Sequence, residues 1–574
     1  MRRRSRTVGR RAAALGCAAA LVSSGVASAA PASRAWVLDT ASRALVAVEL
    51  PSGKQLGSLA LPGRPWALAQ GPDGSRLVVL DRGPGEDKRE RGYKATGRSS
   101  ATIVDATSLR EVGRVELGYG IGRWAFSPDG GRLFVLCPGY EARSPAEALG
   151  EELVTVDLAA ARETGRLGLE AGAMPLVEGA TGRMVTSPDG RSLALLQGLP
   201  RSEKFPYPQA RLWVVDPTDP SIRAKVDMGT WEGQHADSGH LYLLDPGKNR
   251  NGSIEVASIE RGAVVGRLDA GRRPRGLVPD EAGGQVFVLA DGPPGAVDGE
   301  LRVVRGGALV ATLGVAANPK LVVRERDVVY VVGEKAVTLV DPVGLQVTAR
   351  IPLAQGGEAL VEGDDLPTEL KISSDGKRAF ILYGVHNKVA VLDLGAKMAV
   401  GSTKTGRGGK KLFGNLMGGM FGMVGMLAAG YSYWSYTAPS MLAIRPDGRY
   451  AYAINSQTKD VTVVDGTTGR SVEAIGGGGY SLEVLEGGRF LVEVSGSELR
   501  LFDLERNVKA AEVPLPDLRG LFLSPDRSVA VALAKQVVLV LDGSTGKELA
   551  RLAGFVSPDA IVFERDAGRE AKGE

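Results

Sequence analysis

Apolar residues recur along this chain in short runs that alternate or continue for five to seven positions. Each run is cut by a polar turn. The stretch around Asp526 shows the unit: Leu518–Ser524, Val529–Ala534, Val537–Asp542 and Lys547–Leu552 each have strand length and strand patterning. Pro525-Asp526-Arg527 turns between the first two, and Gly543-Ser544-Thr545-Gly546 makes a hairpin between the last two. Glycine supplies positive φ in such turns, and Asp or Ser bonds back to the backbone.

This unit repeats. Its clearest turns are Gly71–Gly74, Ser127–Gly130, Ser187–Gly190, Ser373–Gly376 and Arg445–Gly448, all Pro-Asp-Gly or Ser-Asp-Gly. Worn copies lie near Asp237, Asp280, Arg326, Glu486, Asp526 and Asp566. A spacing of roughly 40–70 residues is that of propellers and related arrays. Four antiparallel strands per unit describe a propeller blade. The chain begins and stops out of phase. Ala35–Asp39 occupies the place of a second strand, and 557–568 supplies an innermost strand and its turn. Together the ends make one composite blade beside ten continuous ones. The expected fold is therefore an all-β propeller of about eleven blades, in one large ring or in two linked rings with a seam near 355–367.

The units resemble the YVTN family of bacterial β-propeller repeats. The likeness rests on VTVVDGTTGRSVEAIGGG at Val461–Gly478, VTLVDPVGLQVTARIPL at Val337–Leu353 and IRPDGRYAYAIN at Ile444–Asn455. It covers nearly all of 35–570 and implies an envelope or surface protein that binds partners. Some members are similar to the propellers of redox enzymes, so the resemblance is stronger for fold than for activity.

Composition changes the picture at the N-terminus. Residues 1–29 read as an export signal: Arg2, Arg3, Arg4, Arg6, Arg10 and Arg11, an apolar stretch Ala12–Val26, and Ala27-Ser28-Ala29 as cleavage site. Six of the 70 basic residues lie in this leader and none of the 66 acidic ones, so the remainder carries 64 against 66. The formal net charge of +4 thus gives no reason to expect nucleic acid. Export places the protein in the periplasm or at the cell surface. Leu15-Gly16-Cys17 resembles a lipoprotein box but has a short apolar run before it. Cleavage after Ala29 leaves Cys137 as the sole cysteine, so no internal disulfide can form.

Strand order sorts the connections by face. Those joining strands one to two and three to four open on one face and are short. Those joining two to three, and one blade to the next, open on the other. Insertions collect on that second face: Arg82–Ser100, Pro138–Glu151, Gly198–Ala210, Pro246–Gly252, Asp291–Gly299, Ala171–Arg183, Ala354–Pro367 and Thr403–Ser440. One-sided elaboration of a repeat scaffold marks a binding face; random surface drift should decorate both.

Two insertions carry distinct chemistry. Arg82–Ser100 holds Arg89, Arg91 and Lys94 among mixed charges and suits an anionic surface polymer or lipid. Thr403–Ser440 opens on Lys410 and Lys411, then runs without charge from Leu412 to Tyr436. Leu412, Phe413, Leu416, Met417, Met420 and Phe421 recur at helical spacing opposite glycines four apart, with Trp434 in an aromatic cluster at the end. Blades flank it on both sides, so a single membrane crossing is excluded by topology. It is expected to lie in a membrane interface, fold back, or dock on an envelope protein.

Catalytic chemistry is thin. His235, His240 and His386 lack ligand spacing, and no nucleophile elbow or phosphate loop appears. No cofactor and no metal site are expected. The aspartates Asp105, Asp157, Asp216, Asp341, Asp393, Asp465 and Asp503 recur with the repeat, which points to turn hydrogen bonding. The expected function is an exported binding scaffold acting through the elaborated face. The alternative is an enzyme or redox-associated propeller, lactonase- or dehydrogenase-like, working at the channel mouth.

Overall fold

The computed structural model describes residues 34–564, apart from 89–91, 138, 140–150, 170–183, 188–189, 200–208, 217–220, 231–233, 237–238, 246, 248–250, 281–283, 362–365, 385–386, 406–440, 456–459, 477–480, 486–487, 496 and 507. Eleven four-stranded antiparallel sheets form the blades. Blade 1 is composite: Arg34–Asp39, Ala44–Glu49 and Gln55–Ala60 from one end of the described chain, and Pro558–Phe563 from the other. Blades 2 to 11 are continuous and span 65–119, 123–168, 184–230, 234–272, 277–315, 321–352, 369–404, 442–476, 481–514 and 520–552.

Burial explains the sequence pattern. In blade 11 the two middle strands, Val529–Ala534 and Val537–Asp542, are buried almost throughout. The innermost strand Gly520–Leu523 is half-buried and the outermost, Glu548–Leu552, is mostly exposed. A middle strand is covered on both faces and so reads as a continuous apolar run. Successive side chains then serve different neighbours. Ala35 and Val37 pack toward blade 11, whereas Trp36 and Leu38 pack toward blade 2. Leu77 and Val79 face blade 1, and Val78 and Leu80 face blade 3.

This alternation decides the ring count. Each adjacent pair of blades shares one buried apolar cluster, and the eleven clusters form one closed circuit. The chain is therefore a single eleven-bladed ring. Across 355–367, blades 7 and 8 share the cluster that includes Tyr330, Ile351, Val361, Leu370 and Ile381. The start of that stretch forms a small ribbon, Ala354–Gln355 with Glu358–Ala359. Leu360 is tied to blade 8 by the Ser402 hydroxyl, which donates to its carbonyl at 2.9 Å.

Turn chemistry follows the repeat. At Ser127–Gly130, Gly130 N donates to Ser127 O at 2.9 Å and Arg132 N to Ser127 Oγ at 2.9 Å. Asp129 accepts from Gly131 N at 3.0 Å. The worn copy keeps this geometry: Arg527 takes the glycine position at φ 59 and donates its N–H to Ser524 O at 2.8 Å. The third-strand aspartates cap their hairpins. Asp157 accepts from Ala159 N and Ala160 N at 2.9 Å, Asp341 from Val343 N and Gly344 N at 2.9 and 3.0 Å, and Asp465 from Thr467 N and Thr468 N at 2.6 and 3.1 Å.

Candidate functional site

The connections between strands two and three, and between blades, share one face. At blade 2 they build a cleft of about 850 Å³ lined by Gly63, Arg64, Asp81, Pro84, Arg98, Ser99, Ser100, Arg114 and Glu116, among others. Each element contributes for a local reason. Arg64 sits on the linker from blade 1. Asp81 ends the second strand, Arg76–Asp81, and Arg98 opens the third, Arg98–Asp105. Arg114 and Glu116 come from the outermost strand, Arg110–Tyr119, which runs long at this face.

Asp81 organises the cleft. Its carboxylate is buried and accepts from Arg64 N at 2.6 Å and Gly83 N at 2.7 Å, with Arg114 Nη2 at 3.8 Å. Two glycines make this approach possible. Gly63 has φ +75, and a Cβ there would fall 1.8 Å from Asp81 Oδ2. Gly83 has φ +72, and a Cβ would fall 2.2 Å from the Arg98 carbonyl oxygen. The guanidinium groups are held but not saturated. Arg64 Nη1 donates to Gly85 O at 2.9 Å, Arg114 Nε and Nη2 to Ser100 Oγ at 3.0 and 2.8 Å, and Arg98 Nη1 to Leu117 O at 3.3 Å. Arg98 Nε lies 3.5 Å from the exposed Glu116.

A separate aromatic cluster lies on the blade 3 side of the same blade. Trp66, two residues after Arg64, carries the Arg82 guanidinium over its ring at 3.8 Å. Trp66 also meets Trp124 of blade 3 edge to face, with centroids 5.8 Å apart and planes at 84°. Both indoles are half-buried and belong to innermost strands. A related cluster occurs at blade 6, where Arg272, Arg273 and Arg275 lie 3.9, 3.6 and 3.1 Å from Asp291. The linkers share a Gly-Arg beginning and a following proline, at Gly63-Arg64-Pro65 and Gly271-Arg272-Arg273-Pro274.

The expected partner-binding residues fare differently. Lys410, Lys411, Leu412, Phe413, Leu416, Met417, Met420, Phe421, Trp434, Arg89 and Arg91 lie outside the described residues. Lys94 falls in Gly92–Ala95, which pairs with Gly85–Lys88 as a hairpin rising from the cleft edge. Arg98 to Ser100 belong to the third strand, not to the insertion, because Ser100 pairs with Asp81 and Glu116. Arg64, Asp81, Arg114, Trp66 and Trp124 are absent from the sequence-based candidates. An arginine just before a tryptophan at the head of two innermost strands, Arg64-Pro65-Trp66 and Arg123-Trp124, is the signal that marks the tryptophans; no local signal marks Asp81 or Arg114.

Cys137 lies behind the cleft, fully buried, and accepts from Gly118 N at 3.2 Å. Burial pushes its thiol up to about 12, so it stays protonated and inert at neutral pH. A thiol reagent such as a maleimide is expected to leave Cys137 of the native protein essentially unlabelled and to label it fully once urea unfolds the chain. Rapid native labelling at Cys137 would contradict this. Among the described residues, no group of three His, Cys, Asp or Glu side chains could hold a metal ion.

No protein-family model matches the chain, and no curated protein matches it. Solved structures show distant likeness. The crystal structure of the eukaryotic initiation factor is 10% identical over 93% of this chain and 99% of that one, with a TM-score of 0.39. Dihydro-heme d1 dehydrogenase NirN in complex with DHE is 13% identical over 88% and 77%, with a TM-score of 0.34. Hydrazine synthase from Kuenenia stuttgartiensis is 18% identical over 71% and 97%, with a TM-score of 0.26.

Proposed function

We propose that this propeller is an exported binding scaffold of the cell envelope, of the YVTN repeat type, that holds an anionic partner on its loop face. The observation that carries this reading is the arginine-lined cleft at blade 2. It opens on the face where the insertions gather, and its cations are fixed by backbone carbonyls and serines with N–H donors to spare. Preorganised guanidinium groups recognise carboxylate and phosphate oxygens without a further ordering cost. In the same reading the apolar segment 412–436 supplies membrane or partner contact.

Two experiments test this. A photo-crosslinker at Thr96 on the loop face is expected to capture an envelope component, whereas one at Lys377 in a turn of the opposite face is not. Equal capture from both faces would remove the sidedness on which the proposal depends. Deletion of 406–440, which leaves the blade 8 strand Met398–Lys404 whole, is expected to shift the protein from the membrane fraction toward the soluble fraction. If intact and deleted chains fractionate alike, the segment is not an anchor.

A further inference from the structure

The linker into blade 6 breaks a rule that comparable linkers keep. Among the described residues, four linkers share one turn. A residue at positive φ is followed, two positions on, by an N–H that donates to the second strand of the coming blade. The donors are Gly122 to Leu136 O at 2.9 Å, Arg275 to Leu289 O at 2.9 Å, Lys320 to Val332 O at 2.8 Å and Arg519 to Leu533 O at 2.7 Å. The matching positive-φ residues are Gly120, Arg273, Asn318 and Asp517. Glycine, asparagine and aspartate tolerate this region, whereas arginine has no such preference. Backbone strain of this kind gathers at ligand clamps. The reason for Arg273 therefore lies in its side chain.

Arg272, Arg273 and Arg275 surround one carboxylate. Arg272 Nη2, Arg273 Nη1 and Arg275 Nη2 lie 3.9, 3.6 and 3.1 Å from Asp291. Only Arg275 donates a hydrogen bond to it. Arg272 Nε is enclosed and has no acceptor among the described residues. One carboxylate beneath three guanidinium groups leaves two positive charges unanswered. Asp291 is turned inward with 12% of its side chain exposed, while the arginines present 33%, 47% and 33% of theirs. The neighbouring Arg302 is taken up by Glu300 and Asp269 at 2.8 and 2.9 Å. The wider cluster thus sets four arginines against three carboxylates and keeps a positive surplus. Its backbone is fixed. Asp291 N donates to Arg272 O at 2.7 Å, and Pro274 packs on Gly252, where a Cβ would fall 2.4 Å from Pro274 Cγ. We propose that these three arginines bind a phosphate monoester, free or as a lipid headgroup, on the loop face of blade 6. Such a group carries about −1.5 to −2 charge at neutral pH, which offsets the surplus. Its three terminal oxygens point in different directions, so each guanidinium can meet one. A carboxylate is planar, has two oxygens and is matched by a single guanidinium fork; Asp291 already fills that role. The site is separate from the blade 2 cleft and does not depend on it.

The test is calorimetric titration of the full-length protein with glycerol phosphate and with malonate, which carries a similar charge on planar groups. It is repeated with Arg98→Gln and Arg114→Gln in place, so that the blade 2 cleft does not contribute. Glycerol phosphate is expected to bind at least about tenfold more tightly than malonate in both backgrounds. Arg272→Gln and Arg275→Gln should each weaken that binding by about tenfold. Arg273→Gly should weaken it too while leaving the melting temperature unchanged or higher, because glycine relieves the positive φ. Flotation with vesicles of phosphatidic acid in phosphatidylcholine separates the two sources of phosphate. Capture that is lost with Arg275→Gln assigns the group to a lipid, and binding of glycerol phosphate without capture assigns it to a soluble ester. Equal binding of malonate, or phosphate binding indifferent to Arg272→Gln and Arg275→Gln, would overturn the site. So would an Arg273→Gly protein that melts earlier and binds as the parent does. Phosphate binding that vanishes with Arg98→Gln and Arg114→Gln would move the anion to blade 2, overturning the blade 6 site while sparing the scaffold role.

Discussion

A chain ending at Gly554 is expected to lose ring closure and, with it, several kcal/mol of stability. The truncation removes Phe555, which is buried against Val37, Val531 and Val540 in the cluster between blades 11 and 1, and the strand Pro558–Phe563. That strand pairs with the second strand of blade 1, Ala35 with Phe563 and Val37 with Ile561. Burial of such side chains contributes about 1.5–3 kcal/mol each, so roughly 5 kcal/mol is at stake before the exposed strand edge is counted. The edge of Arg34–Asp39 would then be open to pairing with other copies. We expect binding of an apolar dye, concentration-dependent aggregation and an early first unfolding transition. A chain ending at Glu564 should behave as the intact protein, and a peptide of 555–564 added in trans should restore the late transition. An unchanged melting curve for the shorter chain would show that the ends do not close the ring.

The same seam is expected to be acid-sensitive. Asp39 is the latch: it accepts from Val556 N at 2.6 Å, Ser557 N at 2.8 Å and Ser42 N at 3.1 Å. Burial pushes its carboxyl upward, but these N–H donors outweigh it and hold the group below its ordinary 3.8. A depressed carboxyl stabilises the fold above the unfolded value and loses that contribution as pH falls through the folded one. Asp105, Asp393 and Asp542 are shifted in the same direction by hairpin N–H and hydroxyl donors, with Arg76 and Arg378 assisting the first two. The melting temperature should therefore hold down to about pH 4 and decline below it. Asp39→Ala should cost roughly 2–3 kcal/mol at neutral pH and flatten the acid slope.

The second large effect concerns blade 10. Glu493 has 0% exposure in the strand Phe490–Ser495, and Arg500 Nη1 reaches it at 3.1 Å from the strand alongside. Arg500 also pairs with Glu498. A buried carboxylate deprived of its cation is costly because the interior cannot solvate it, and breaking such a pair costs about 3–5 kcal/mol. Arg500→Met is expected to lower the urea midpoint accordingly. Glu493→Leu combined with Arg500→Met should recover most of the loss, since apolar residues of similar size suit a position buried between sheets. A single mutant as stable as the parent would show that Arg500 is not what makes the buried carboxylate tolerable.

Much of this fold is legible in the chain. Pro-Asp-Gly turns, their serine partners and the Val-Asp strand ends are local devices, each satisfied within a few residues, as at Ser127–Arg132 and Asp341–Gly344. The out-of-phase ends are legible too, because Ala35–Asp39 and 557–568 are incomplete by the grammar of the repeat. Glu493 is not. It reads as one polar break in an apolar run, and only the strand register brings Arg500 opposite it. The cleft is half legible. The insertion 82–100 shows which face is elaborated, but Arg64, Asp81 and Arg114 come from three elements that only the folded sheet assembles.

Sequence alone determined the blade, the number of copies and the sharing of one blade between the ends. Those depend on hydrogen bonds and alternation over a few residues. Tertiary structure decided that the blades form one ring and that Arg64, Asp81, Arg98 and Arg114 converge at blade 2. Both depend on which neighbour each face of a strand meets. Period-two alternation states that a strand has two faces, but not which blade lies across from each. The closed circuit of eleven apolar clusters supplies that information.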